Sequence, residues 1–378
     1  MRLDAFTKRV MRKNKSNQSR LPLTISAQYG LVDQITFFNK VVASTDLSNY
    51  YLLKKGEFAY NKSYSSDYPW GAIKRLDNYD QGALSSLYIC FAPQDNVVSD
   101  FILQYFESPK WHKGISEIAV EGARNHGLLN VAVQDFFHTY HYVPKDKKEQ
   151  IKISKLLMLL DERIATQSKI IDKLQSLIKG INQNVFTDDG FNYMLKELCE
   201  IRSGYSGNQL TSKNGLKVSR IETISGHKVN IERVGYVAPF ASSENYKLQI
   251  GDILFSNINS VEYIGNTAFI EKDYGLYHGM NLLRLMPNKN IVIPLYLYLL
   301  LNTNKMQNHF KTICNKAVSQ ASINQTELGK TVVKIPSIKA QKQICELYQS
   351  LYNKLETENN AISLLQKQKE YLLRQMFI

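Results

Sequence analysis

One heptad pattern occurs twice in this chain. Ile153, Leu157, Leu160, Ile164, Ile171, Leu174, Ile178 and Ile181 step by four and three, with Gln167 in the one polar slot. Ile344, Tyr348, Leu351, Leu355, Ile362, Leu365 and Leu372 repeat those steps. Glu358 falls in the slot matching Gln167, and Lys369 is a second exception. Apolar residues every 3.5 positions form a seam that must be covered by another helix. Ile344 stands 191 positions after Ile153, so the pattern predicts an internal duplication in which two long helices each follow a globular head.

The heads repeat as well. Tyr51-x4-Gly56-Glu57-Phe58 matches Tyr246-x4-Gly251-Asp252-Ile253, and Leu87 to Pro93 matches Asn281 to Pro287 as a strand ending in proline. Phe101 to Phe106 matches Leu295 to Leu300 as an apolar helix. Leu129-Asn130 and Ile323-Asn324 each precede a final strand, read in the first head over the alternating stretch Phe136 to Val143. Pro144 and Pro336 interrupt the chain before each helix. These landmarks give residues 1–143 as a first mixed α/β head, 144–187 as a central helix, 188–335 as a second head and 336–378 as a C-terminal helix. The fold class is α+β: two similar heads in tandem, with helices that pair as an antiparallel coiled coil. Gln167 and Glu358 would fix its register. From Ile153 to Ile181 is 28 residues, about 42 Å of helix, or roughly 12 base pairs of DNA.

A net charge of +13 favours a polyanionic partner. Seven Arg or Lys occur in the first twenty residues against one acid, Asp4. Four scattered cysteines without Cys-x-x-Cys spacing fit a reducing cytosol and not a zinc ribbon. No run approaches a membrane span, since the longest, Ile291 to Leu301, is too short and contains Pro294. No secretion signal is read at Met1-Arg2-Leu3-Asp4.

Catalytic signatures are missing. No two glycines are spaced Gly-x-Gly, and no proline follows Asn or Asp, which excludes the usual S-adenosylmethionine motifs. Gly329-Lys330-Thr331 lacks the glycine five positions earlier that a phosphate loop requires, because Asn324 stands there. Asp146-Lys147-Lys148 has nuclease-like spacing, but the acid sits where it favours a helix N-terminus. His138 and His141 on an alternating strand would point to opposite faces, which excludes a shared metal. The expectation is a binding protein with no catalytic residue, no metal and no cofactor. Two other classes remain open. An enzyme fragment would need the missing motifs, and a coiled-coil adaptor would show no salt-sensitive, sequence-dependent DNA affinity.

The ordered set Val143-Pro144, Glu149-Gln150-Ile151 and Leu160-Asp161-Glu162-Arg163-Ile164 has counterparts in Ile335-Pro336 and Ala340-Gln341-Lys342-Gln343-Ile344. Together with Gly56-Glu57 and Gly251-Asp252, it resembles the specificity subunit of type I restriction–modification systems. The resemblance implies that each head is a target recognition domain reading one half of a bipartite double-stranded DNA target. It implies that the helices set the spacer and dock two methyltransferase subunits, and that motor–nuclease restriction subunits complete a cytoplasmic complex. One departure is expected. Gly56 has only 55 residues before it, whereas about 65 separate Gly251 from the first helix, so head one is read either as having lost an entry segment or as having its true start upstream.

Base readout calls for polar side chains on loops facing a groove. In head one these are Gln28 and Tyr29, then Asn61, Lys62, Ser63 and Tyr64 after a strand. Tyr68 and Trp70 add stacking, Lys74 and Arg75 hold phosphates, and Arg124, Asn125 and His126 form a polar loop. In head two they are Ser203, Tyr205, Lys213 and Lys217 in the opening loop, then Ser256, Asn257, Asn259 and Ser260 after a strand. Lys316, Ser319 and Gln320 match the Arg124 loop.

Overall fold

A computed structural model describes residues 1–40, 42–119, 127–186, 190–317 and 320–377. It divides into two compact units, Met1–Lys169 with Asn359–Ile378, and Ile170–Glu358.

The first unit contains β1 (Thr7–Arg9), β2 (Pro22–Ser26), β3 (Gly30–Asp33), α1 (Gln34–Phe38), β4 (Tyr51–Lys54), β5 (Phe58–Asn61), β6 (Ala72–Arg75), β7 (Gln81–Leu84) and β8 (Ile89–Pro93). Helices α2 (Ser99–Glu107), α3 (His112–Ile118) and α4 (Val133–His138) follow, and then the first turns of the long α5 (Lys147–Asn184). The second unit contains the end of α5, β9 (Phe191–Met194), α6 (Leu195–Leu198), β10 (Cys199–Ser203), β11 (Leu216–Val218), β12 (Gly235–Val237) and β13 (Ile253–Phe255). Next come β14 (Ile258–Asn259), β15 (Thr267–Phe269), β16 (Leu283–Pro287), α7 (Pro294–Leu301), α8 (Asn304–Ile313), β17 (Asn315–Lys316), β18 (Ala321–Ser322), α9 (Gln325–Gly329) and β19 (Val332–Ile335). The last helix, α10 (Ile338–Gln375), is divided between the units at Glu358.

Each unit is built on the same four-stranded antiparallel sheet. Its order is β1-β8-β5-β6 in the first and β10-β16-β13-β15 in the second. The registers match too. Phe58 faces Phe91 and Arg75 in one, and Ile253 faces Leu285 and Phe269 in the other. Thr7 pairs with Pro93, and Cys199 with Pro287.

Small polar details recur at the same places. The Thr7 hydroxyl donates to the Leu3 carbonyl at 2.8 Å, and the Cys199 thiol donates to that of Leu195 at 3.2 Å. The Leu3 N–H donates to Thr139, and the Leu195 N–H to Thr331. The glycine-acid pairs also share one role. Gly56 and Gly251 have φ of 85° and 100°, a left-handed turn that glycine adopts without strain. The acid that follows accepts from the amide three residues back: Lys54 N–H to Glu57, and Gln249 N–H to Asp252.

Leu3 is the counterpart of Leu195 and stands 53 positions before Gly56, against 56 between Leu195 and Gly251, so the heads are of similar length from that point on. The strand β9 that precedes Leu195 pairs with β19 over four residues, where the first unit has the Arg2–Tyr140 bridge. The final strand expected over Phe136 to Val143 is corrected. Val133–His138 is helix, with Phe136 and Phe137 both buried. The in–out alternation is real only from Thr139 onward. There Thr139 and His141 are buried while Tyr140 and Tyr142 are exposed, and one bridge, Arg2 with Tyr140, is formed. His138 is exposed at the helix end. His141 is buried, with its ring nitrogens 3.0 Å from the Tyr105 hydroxyl and 2.7 Å from that of Thr139.

The heptad residues face inward. Ile153, Leu157, Leu160, Ile171, Ile178 and Tyr348 are buried. Ile164, Leu174, Ile344, Leu351, Leu355, Ile362, Leu365 and Leu372 are half-buried. In the first unit Ile153 and Leu157 share a core with Leu373 and Phe377, and Lys369 forms an ion pair with Asp161. In the second unit Ile178 and Ile181 pack with Tyr348, Leu351 and Leu355. Asp146 accepts from the Lys148 N–H at 2.8 Å, so the nuclease-like spacing is a helix cap. Among the described residues no helix is long and apolar enough to cross a membrane.

Candidate nucleic-acid interface

In both units the loop after the second sheet strand is held against the segment that precedes the last short helix. In the first unit the Leu129 N–H donates to the Lys62 carbonyl at 2.9 Å, the Tyr64 N–H donates to Gly127, and Ser63 bridges Leu128. In the second unit the Ile323 N–H donates to the Asn257 carbonyl at 2.9 Å. There β14, β18 and β17 form a small sheet, with Asn259 opposite Ala321 and Lys316 opposite Ala321 on the other side. The structure therefore brings together two groups of residues that are some 60 positions apart in sequence: Asn257, Asn259 and Ser260 with Lys316 and Gln320. Arg124, Asn125, His126 and Ser319 lie outside the described residues.

Several of these side chains are committed to the loop itself. Ser256 is fully buried, and its hydroxyl takes the Asn259 carboxamide N–H at 3.0 Å. The Asn259 carbonyl oxygen accepts from Ser260 N–H at 2.8 Å. The Asn257 amide donates to the Ile323 carbonyl, and its Oδ1 is buried without a partner. Asn61 likewise accepts from Ser63 N–H. These residues make the turns that display their neighbours.

Lys74 and Arg75 are engaged elsewhere than on phosphates. Lys74 pairs with Glu107 at 2.6 Å, and Arg75 spans Asp77 and Asp100, each at 2.7 Å. They tie β6 to α2. Trp70 packs on the first core, and its carbonyl accepts from the buried Tyr60 hydroxyl. Tyr68 packs on the neighbouring cluster around Leu23, where burial raises its phenol pKa. Tyr205 stacks on Phe240 at 3.9 Å and 6°, an aromatic pair that holds the opening loop of the second unit.

The exposed candidates are Gln28 and Tyr29 at the β2–β3 turn, Ser63 and Tyr64, Ser203, Lys213 and Lys217, and Ser260, Lys316 and Gln320. Tyr29 sits edge-on to Phe37 of α1 at 6.4 Å. Sequence reasoning missed a hollow of about 240 Å³ in the second unit, lined by Glu222, Arg233, Asn259, Tyr263 and Asn266 among others. The only signal for it was the nearness of Tyr263 to the Asn257 loop. Between β1 and β5 the first unit carries a second sheet, β3-β2-β7-β4, which β7 joins from beyond β6. Between β10 and β13 the described residues of the second unit form the pair β11-β12. The scaffold is shared and the material displayed on it differs.

Residues 190–367 match the family model of the type I restriction modification DNA specificity domain. A protein named as the MjaX type I restriction enzyme specificity subunit, from Methanocaldococcus jannaschii, is 44% identical over 187 residues, which is 48% of this chain and 44% of that protein. The EcoKI specificity subunit of Escherichia coli is 22% identical over 312 residues, 75% of this chain and 66% of its own length. The chain thus spans less than half of the first relative and just under two thirds of the second. The crystal structure of the type I system S subunit from M. genitalium superposes with a TM-score of 0.56 at 16% identity, covering 100% of this chain and 95% of that one, a likeness of fold. Residues 190–367 thus match a type I restriction modification DNA specificity domain, and the fold is similar to that of a type I S subunit.

Proposed function

We propose that the chain is the DNA specificity subunit of a type I restriction–modification complex and is itself non-catalytic. Each unit reads one half of a bipartite duplex target. The observation that carries this reading is the pairing of one scaffold, repeated down to individual hydrogen bonds, with different insertions at the same place. A repeated scaffold bearing unlike displays is what two half-sites of different sequence require. The +13 charge and the polar loop clusters suit phosphates and base edges.

On this reading the heptad seams of α5 and α10 pair as an antiparallel coiled coil and set the spacer between half-sites. The complex works in the cytosol, with two methyltransferase subunits and motor–nuclease restriction subunits supplying the chemistry and its cofactors. The exposed residues Gln28, Tyr29, Ser63, Tyr64, Lys213, Lys217, Ser260, Lys316 and Gln320 are proposed as DNA contacts.

Selection of duplexes from a randomised pool by the purified chain tests the proposal. The expected product has two short fixed blocks separated by an unconserved gap of constant length. A single continuous block, or no enrichment at low salt, would overturn it.

A further inference from the structure

We propose that Arg233 reads a guanine in the half-site bound by the second unit, inside the hollow that it shares with Tyr263 and Glu222. This rests on the DNA-reading function proposed above and assigns a specificity residue to it.

The polar side chains that the sequence singles out beside this hollow are already spent. Ser256 and Asn259 bond each other, and Asn259 also takes the Ser260 N–H. Arg233 is placed differently. Its N–H donates to the Asn230 carbonyl at 3.2 Å, and its own carbonyl accepts from the Thr223 hydroxyl at 2.6 Å. Thr223 is fully buried, and its hydroxyl also accepts from Arg220 N–H at 2.9 Å. The backbone of Arg233 is therefore pinned, while its guanidinium is exposed and has no ion pair or hydrogen bond among the described residues. A fixed stem with an unspent fork is the arrangement that direct readout needs, because the guanidinium matches the O6 and N7 acceptors of guanine in the major groove.

Glu222 decides between a base and a phosphate. Its carboxylate lines the same hollow and lies 3.4 Å from the Arg220 guanidinium. A second negative charge beside a phosphate is unfavourable, whereas a carboxylate beside a G·C pair can accept from the cytosine amino group. Tyr263, 47% exposed on the opposite loop, supplies an apolar wall that limits where the base edge can sit.

The test is the duplex selection above, run on the chain and on Arg233→Ala, Arg233→Lys and Glu222→Gln. The expected result with Arg233→Ala is a loss of about tenfold or more in preference for guanine at one position of one block, with the other block unchanged. Arg233→Lys keeps part of the preference, and Glu222→Gln weakens it at the same base pair. An unchanged motif in Arg233→Ala overturns the assignment and leaves the DNA-reading function intact. So does a uniform loss of affinity with a salt slope lower by about one, the mark of a phosphate contact. If the unmodified chain selects no motif, the reading and the assignment fall together.

Discussion

The Gln150 carboxamide oxygen accepts from the Val98 N–H at 2.7 Å, and its amide donates to the Pro144 carbonyl at 2.7 Å. Gln341 does the same in the second unit, accepting from Ile293 N–H at 2.8 Å and donating to the Pro336 carbonyl at 2.9 Å. Both glutamines are buried. Each ties the start of an apolar helix, α2 or α7, to the proline before a long helix. The dipeptides Glu149-Gln150 and Ala340-Gln341 thus have a structural reason: one side chain satisfies an orphan helix N–H and a stranded carbonyl together.

Gln150→Leu removes both partners at once. Leaving two polar groups unmet costs about 2 kcal/mol or more, and the first unit should melt about 4–8 °C lower. Gln341→Leu should do the same to the second unit. Calorimetry that resolves the two transitions checks this, and an unchanged transition in either variant would count against the anchor.

Arg75→Ala separates structural charge from binding charge. Arg75 holds Asp77 and Asp100 and is largely covered, so its loss should lower stability by about 1 kcal/mol after screening is allowed for. The salt dependence of DNA binding should not move. A slope reduced by about one would instead make it a phosphate contact.

Acid should destabilise both units. Burial brings His141 and His278 down to about 4 from the ordinary 6.5. A histidine with a depressed folded pKa binds its proton more readily when unfolded. Stability is therefore full above about pH 6.5 and falls as pH drops toward 4. The neutral rings are held by Tyr105 and Thr139 in one unit and by the Leu282 carbonyl in the other. Denaturation midpoints at pH 7 and pH 5 should differ in the unmodified chain, and the gap should shrink in His141→Asn. Equal gaps would show that acid acts elsewhere.

Much of the scaffold was legible because it is periodic or repeated. The heptads fixed both long helices to within a few residues of Lys147–Asn184 and Ile338–Gln375. Gly56-Glu57 and Gly251-Asp252 marked equivalent turns because both need a left-handed residue followed by an acceptor. The stretch after Phe136 misled because Phe137, Thr139, His141 and Val143 alternate like a strand, while packing of Phe136 against Tyr60 draws the first residues into a helix. The site was legible in place and not in residue. Turn-forming Asn257 and Asn259 marked the loop, whereas Arg233 enters it from a segment more than twenty positions away, a juxtaposition that only tertiary contacts create.

The spacer gives a further prediction. Inserting one heptad in each of α5 and α10 keeps the seam in register and adds about 10 Å, or about three base pairs. The gap in the selected duplexes should lengthen by that amount with both blocks unchanged, and a constant gap would remove the helices from the role of spacer.

The central claim is tested most directly by mapping methylated bases across a genome in cells that express a type I methyltransferase subunit with and without this chain. Methylation is expected at a split motif with a fixed gap, present only when the chain is present. Methylation that is independent of the chain, or confined to one uninterrupted motif, would contradict it.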